Sequence, residues 1–577
     1  MATPELERSA IGRPPPQWAR IEEVLHDRAR SVAARLPTRY ADLLSRGPVR
    51  RVRGSVARAR AYRERFARPE PEKVPFVAGV TRLWPELGRA TLLGLVASIA
   101  IVVGASLPSS PFTLKNIPGA WYFGIPTPSV VPGTQAPSAG LFLGVVAVYG
   151  GMILMLRVWY DIVRVCSRRP GIPVKRLVPI FVAWCVPLLF VAPLFSRDLY
   201  SYAAQGEMMS HHINPYTYGP AVLGQGPFVG LVDKLWQNVG SPYGPVFLTI
   251  AGWIVSATGH NDLMAVEGLR LVAVLGTAAF AWAVPAIARS FGRDGATAFV
   301  IAALNPLVLL HLVAGGHNDA LMLGLLAPGY ALSRRGHPVA GIAVCAIGAA
   351  IKVPALIGVV YIGWEWGGPG RPALQRLRPV ATALLLAAAI MAGLSSLAGL
   401  GWGWVSGLSN PDTVRSWLDP ATAVGLLCGK ALALVGLGDH THILLTLTRG
   451  AGLLAAAAIS LVLLVESERV GPLRALGWSL IAIVVLSPVV QPWYLAWGFV
   501  FLAPVVEGRV RRAVVVASGI ACFVGLPGVH VLVHELAVAN PLVVGGTAVL
   551  LLAIVALVLL PRLRRSGQER EMQADAA

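Results

Sequence analysis

The sequence predicts an all-α, polytopic integral membrane protein of about 12–14 transmembrane helices, with further helices lying in the outer interface. Three observations predict it. Of the 577 residues, 55% are hydrophobic and only 14% are charged, with a mean hydropathy of +0.64. A soluble domain is about 25% charged, so these charges are too few to cover a globular surface. The apolar stretches between residues 90 and 560 are continuous, which suits helices and not the alternating pattern of a β-barrel. The basic residues are also unevenly placed. Nineteen of the 49 Lys and Arg precede residue 90, and 22 fall in 157–176, 289–293, 334–335, 371–378, 469–474, 509–512 and 562–570. Only Lys115, Arg197, Lys234 and Arg415 fall in the other set of loops. Such alternation is the positive-inside pattern. It assigns the net charge of +20 to orientation in the membrane and not to nucleic-acid binding.

Taken in order, residues 1–88 form a cytoplasmic Arg/Pro-rich arm, partly disordered, with one short amphipathic helix from Trp18 to Leu36. No cleavable signal peptide opens it, so the first span is expected to be an uncleaved anchor. The membrane domain covers 89–561. Its apolar spans fall at about 89–107, 141–160, 177–195, 264–288, 295–313, 319–333, 338–351, 353–366, 379–399, 441–464, 476–490, 493–506, 512–529 and 541–560. Several are short, and the pair meeting at Lys352-Val353-Pro354 reads as one broken hairpin. Residues 562–577 are a cytoplasmic tail. Segments 243–258 and 421–437 are apolar, but counting the first as a span would put Arg289, Arg293, Arg334 and Arg335 outside, and counting the second would likewise invert the basic loops that follow it. Both are therefore read as interfacial helices. Five scattered cysteines suit small buried hydrophobes, not a disulfide framework or a zinc site.

The outer segments 108–140, 196–263, 314–319, 400–440 and 530–540, with the turn Gln491–Tyr494, hold the aromatic, His, Asn and acidic clusters. Trp121, Tyr122 and Trp497 are read as the aromatic belt. In 195–219, FSRDLYSYAAQGEMMSHHINPYTYG, a helix capped by Ser196 runs to about His212 and puts Asp198, Ser201, Tyr202 and Gln205 on one face. A carboxylate there suits general-base work on a hydroxyl; burial would raise its pKa and Arg197 would oppose that. The rival reading is a carboxylate that complements the helix dipole. His317, Asn318 and Asp319 either serve a site or cap the next helix. Glu267 and Arg270 are spaced to neutralise each other. Lys352 is an intramembrane cation with no acidic neighbour in sequence, suited to a lipid phosphate unless it snorkels. Lys430 and Arg449 read as snorkellers. His211 and His212 contact sugar or phosphate, or form a solvated helix end. Nucleotide-binding motifs, a D-x-D pair and H-E-x-x-H are absent from the sequence.

These residues resemble the polytopic glycosyltransferases of the C superfamily, which use polyprenyl-phosphate sugars. FSRDLYSYAAQGEM, HHINPYTYGP, SPYGPVFL, NPLVLLHLVAGGHNDALM and SPVVQPWYLAW look like the actinobacterial α-(1→6)-mannopyranosyltransferases of lipomannan and lipoarabinomannan assembly, over roughly residues 85–560. The resemblance implies a catalytic base at Asp198 and a polyprenyl-phosphomannose donor. It implies donor phosphate contacts from Arg270, His317 and Lys352. It implies substrate contacts from Arg197, Tyr202, Gln205, His211, Tyr243, Asp319, Gln491 and Trp493. The other partners it implies are a lipid-linked mannan acceptor and membrane lipid, with no nucleic acid. No metal ligand is assigned, and a divalent metal is left open. Two alternatives stand beside it: transfer of arabinose or another sugar from a polyprenyl phosphate, and transport of a lipid-linked glycan.

Overall fold

The computed structural model describes residues 84–107, 110, 112, 121–122, 125–126, 139–408 and 414–524. The arm, the expected span 541–560, the segment 530–540, most of 108–140 and the tail lie outside the described residues. The fold is all-α. A two-residue pairing of Trp121–Tyr122 with Ile125–Pro126 is the one β feature among the described residues.

Among the described residues, five helices are long and apolar enough to cross a bilayer: α1 (Trp84–Ser106), α2 (Ala139–Arg168), α6 (Asp262–Ser290), α11 (Ala373–Leu397) and α13 (Thr441–Val465). At 1.5 Å per residue, even the 23 residues of α1 reach about 34 Å, enough for the hydrocarbon core. Their starts follow local chemistry. Asn261 caps α6 by accepting from the amide of Met264 at 2.9 Å.

The other expected spans are shorter helices. They are α3 (Val178–Leu188), α7 (Gly295–Ala302), α8 (Asp319–Arg334), α9 (Pro338–Ala349), α10 (Leu356–Trp366), α14 (Pro472–Leu486), α15 (Leu495–Leu502) and α16 (Gly508–Ala521). A π-helical turn, Val308–Ala314, joins α8 at a bend of 110°, and together the two would make a sixth crossing. The shorter helices among the described residues arise because proline and glycine cut the apolar runs. Pro306 precedes the π-helical turn, Gly315 and Gly316 follow it, and Pro354 and Pro492 each open a break. Such breaks free backbone groups within an apolar chain, and Asn305 answers one of them by accepting from the Leu307 amide at 3.0 Å.

Helices α4 (Asp198–Ser210), α5 (Pro245–Ala257) and α12 (Pro420–Leu434) lie outside the expected spans. α5 and α12 coincide with the two segments read as interfacial. At 13 and 15 residues they are about 20–23 Å long, too short to cross.

Burial divides the molecule. Every residue from Gly295 to Ala320 is buried, so the π-helical turn and the GGHND loop run through the centre. The faces of α11 and α13 expose apolar side chains, Leu385 at 71% and Leu454 at 74% among them. A soluble protein would cover these, and they suit contact with lipid. α6 packs along α8, and α4 along α5. At Gly206 the α4 backbone approaches α5 so closely that a Cβ would lie 2.6 Å from the carbonyl oxygen of Ala251. That contact seats the helix carrying Asp198.

Candidate active site

Asp198 is the first residue of α4. The cap differs slightly from expectation: Arg197 occupies the N-cap position, while the Ser196 hydroxyl accepts from the Asp198 amide at 3.1 Å. Upstream, Phe195 turns the chain with φ of 66°, a left-handed conformation unusual for a bulky residue. The Asp198 side chain remains 25% exposed.

Four chain segments converge on it. The GGHND loop brings Nδ1 of His317 to 3.2 Å from Oδ2 of Asp198, an ion-pair distance when the imidazole is protonated. Gly316, at φ of 67°, lets the loop make that turn. Tyr202, one turn along α4, directs its hydroxyl at Oδ2 of Asp198 and at Oδ1 of Asn318, each at 3.4 Å. Its ring meets Tyr243 edge-on at 5.0 Å. The turn before α15 stacks Trp493 on His317, with ring centroids 3.7 Å apart and 16° between planes. Trp493 also lies 5.5 Å from His311, whose ring is 6.4 Å from that of His317.

Lys352 enters from the break between α9 and α10. Backbone bonds from Gly244 to Ile351 and from Val246 to Ala350 tie this break to the Tyr243 turn. The ammonium donates to both carboxylate oxygens of Asp319, at 2.8 and 3.0 Å. It also lies 4.4 Å from the Tyr494 ring centre and 5.4 Å from that of Trp497. Lys352 therefore does not snorkel, and a carboxylate 33 residues away in sequence neutralises it.

Asp319 is fully buried, and its Oδ1 also accepts from Nε1 of Trp497 at 2.6 Å. Its carboxylate serves this cluster, and Asn318 at the N-cap position makes no side-chain cap. The capping reading of the pair fails on that point. Trp497, read as an interfacial belt residue, is instead 4% exposed and bonded within the cluster.

The electrostatics favour an ionised Asp198. Burial pushes its carboxyl up, but the contact and charge of His317, then Lys352 and Ser196, outweigh burial and hold it below the ordinary carboxylate value. The opposing groups are His317 and Lys352, not the sequence neighbour Arg197 that was expected in that role. Three buried polar atoms of the cluster have no protein partner among the described residues: Nε2 of His317, Nδ2 of Asn318 and Nε1 of Trp493.

Other expected residues lie further back. Arg270 is fully buried and spends its guanidinium on the carbonyls of Ala314 (2.7 and 3.2 Å) and Leu189 (3.2 Å) and on Glu267 (3.2 Å). It holds the end of the π-helical turn beneath His317. Gln205 accepts from Ser241 at 3.0 Å, which braces the Tyr243 turn. Arg197 and Gln491 are half-buried beside Asp198 and Trp493 in sequence. Arg449, read as a snorkeller, is 7% exposed and bonds to Thr422 at 3.0 Å and to the Val414 carbonyl. Four of the five cysteines are buried and Cys428 is exposed; all are free. His211 pairs with Glu207 at the other end of α4, about 20 Å along the axis from Asp198. Glu207, His211 and His260 form the one group among the described residues whose side chains could hold a metal.

The family described as α-(1→6)-mannopyranosyltransferase, N-terminal domain, matches residues 91–368, and the MptB C-terminal domain matches 421–561. The first match contains every residue gathered around Asp198 except the turn before α15 and Trp497, which fall in the second. An α-(1→6)-mannopyranosyltransferase A of Mycobacterium tuberculosis is 33% identical over 397 residues, covering 67% of this chain and 75% of that one.

The chain belongs to the α-(1→6)-mannopyranosyltransferase family.

It is a glycosyltransferase of the membrane. A probable α-(1→6)-mannopyranosyltransferase of Mycolicibacterium smegmatis is 35% identical over 390 residues, which cover 61% of this chain and 69% of the relative. An α-(1→6)-mannopyranosyltransferase B of Corynebacterium glutamicum is 33% identical over 364 residues, 58% and 60% of the two chains. No solved structure matches.

Proposed function

We propose that this mannosyltransferase family member moves mannose from a polyprenyl-phosphate β-mannose to the 6-hydroxyl of a lipid-linked mannoside at the extracytoplasmic face, in lipomannan and lipoarabinomannan assembly. The observation that carries the reading is Asp198: an ionised, partly open carboxylate set between an imidazole and a lysine. A β donor and an α product require one inversion at the anomeric carbon. One displacement needs one base and a leaving group that bears its own charge.

Asp198 takes the proton of the acceptor hydroxyl as that oxygen bonds to the anomeric carbon. The bond from that carbon to the phosphate oxygen breaks, and polyprenyl phosphate departs as an anion without a general acid. Lys352 and His317 stabilise the developing charge. Arg270, with its donors engaged by carbonyls, acts behind them by fixing the loop that carries His317. Tyr202, Tyr243 and Trp493 offer faces and edges to the sugar. The unpartnered Nε2 of His317, Nδ2 of Asn318 and Nε1 of Trp493 are suited to substrate oxygens. Arg197 and Gln491 complete the rim, and the buried Asp319 positions Lys352 behind it.

The test is transfer from labelled polyprenyl-phosphomannose to a short α-mannoside by purified protein. Asp198→Asn removes the base while keeping the shape, and should lower turnover by about 10²–10⁴-fold with membrane yield unchanged. Transfer at the parent rate overturns the assignment.

A further inference from the structure

We propose that Glu207, His211 and His260 form a zinc site that clips the far end of α4 to the turn between α5 and α6. Glu207 and His211 stand one helical turn apart on α4, so their side chains share a face. His260 arrives from 53 residues away, on the turn that follows α5. Oε1 of Glu207 lies 3.0 Å from Nε2 of His211, and Oε2 lies 2.7 Å from Nδ1 of His260. The three ligand atoms all fall within 4.8 Å of one another.

Two imidazoles and one carboxylate, with a fourth position open to water, are a zinc donor set. Tetrahedral bonds of about 2.0–2.1 Å put neighbouring ligand atoms about 3.3 Å apart. The present separations are a few tenths shorter, and the two histidines are free to open them: their side chains are 56% and 47% exposed. The Glu207 side chain is only 12% exposed. A carboxylate so covered needs a cation, and zinc provides one without depending on histidine protonation. On uptake each imidazole presents its facing nitrogen without a proton: a neutral ring carries its proton on the outward nitrogen, an imidazolium releases one to solvent, and the contacts to the carboxylate give way to metal bonds. Ser210 donates its hydroxyl to the Glu207 carbonyl at 2.7 Å, which sets its oxygen 3.4 Å from Oε2 of the same residue. The backbone presents the third ligand at a cost: His260 has φ of 60°, beside Gly259 at 61°.

The site is separate from the transfer chemistry. It lies about 14–20 Å from Asp198 along the helix, so it is a structural clip and not part of proton transfer. Its failure would leave the assignment of Asp198 standing, and the converse holds.

The experiment uses the full-length, untagged protein in detergent, loaded with zinc, dialysed, and read for metal by mass spectrometry. About one zinc per chain is expected, with chelation lowering the melting temperature and zinc, not magnesium, restoring it. His260→Ala and Glu207→Gln should each lower zinc affinity at least roughly tenfold, while His212→Ala next to the group should not. Because a variant can lose its fold, cobalt substitution of the parent protein supplies a second reading: a tetrahedral visible spectrum supports the site. No retained zinc in the parent, an octahedral cobalt spectrum, or monodisperse His260→Ala protein that binds zinc as the parent does would each overturn it.

Discussion

Lys352 and Asp319 meet where the carboxylate is fully buried and the lysine side chain is only 12% exposed. Removing the lysine alone strands a fully buried carboxylate, which costs about 3–5 kcal/mol. Replacing both partners by apolar residues of similar volume removes that penalty. Lys352→Ala should therefore lower the melting temperature sharply, whereas Lys352→Met with Asp319→Leu should recover most of it. If Lys352 also holds the donor phosphate, the double variant regains stability without regaining transfer. Recovery of both would reduce the lysine to a structural role. His317 gives a second residue-scale prediction, with a fixed sign. The folded carboxyl of Asp198 lies below its ordinary value, so the base stays ionised until the pH falls beneath that value. Taking His317 away removes the first of the influences that lower it and leaves burial to push it up. The acid limb of the rate profile of His317→Ala should move to higher pH, whatever the residual rate. An unmoved limb would mean that His317 does not act on Asp198. Of these residues, Asp198 is legible in the sequence because its environment begins locally, with Ser196 and Tyr202 a turn or less away. The pairing of Lys352 with Asp319 is not, because the contact joins distant loops. Trp497 misleads for a related reason: a tryptophan near a span's end has the same local pattern whether it meets lipid headgroups or a buried carboxylate.

α4 works as a platform, and its precision rests on contact with α5. A side chain at Gly206 has nowhere to go, since the atom it would meet is backbone. Gly206→Val should push α4 off α5, with a cost at the upper end of the about 1–3 kcal/mol typical of overpacking. Transfer should fall with it, because a shift of about 1 Å in a catalytic group can cost 10²-fold. Gly393 is the matched control. It lies inside α11, and a Cβ added there would meet no atom within 4 Å, so Gly393→Ala should raise helix stability by about 0.5–1 kcal/mol and leave transfer intact. Thermal unfolding and the mannoside assay on the two variants check both halves. Helix positions at this scale are legible from apolar runs and their Pro, Asn and Gly punctuation, including the two helices read as interfacial. Where a run breaks is not. Hydropathy registers 295–313 as one apolar run and is blind to the break at Pro306 that divides it into α7 and the π-helical turn.

Across the whole molecule, the buried stretch of chain from Gly295 to Ala320 joins the carboxylate cluster to the basic rim. It carries the GGHND loop to Asp198 and passes into α8, which ends at the basic pair Arg334 and Arg335. Asp319 and Arg334 are thus opposite ends of one helix of 16 residues, about 24 Å long. Under the proposed orientation, with the arginine end in the cytoplasm, the helix would place the Asp198 cluster toward the other leaflet, where a lipid-tethered sugar donor would have to present itself. Single cysteines test this directly in a Cys428→Ser background, since the other described cysteines are buried. Gln225, exposed in the loop after α4, and His337, exposed between α8 and α9, report the two sides. Gln225→Cys should react with an impermeant maleimide on intact cells. His337→Cys should react only after the membrane is opened. The reverse pattern would put the carboxylate cluster in the cytosol and remove the basis for an extracytoplasmic polyprenyl-phosphate donor, while leaving the family and the fold untouched.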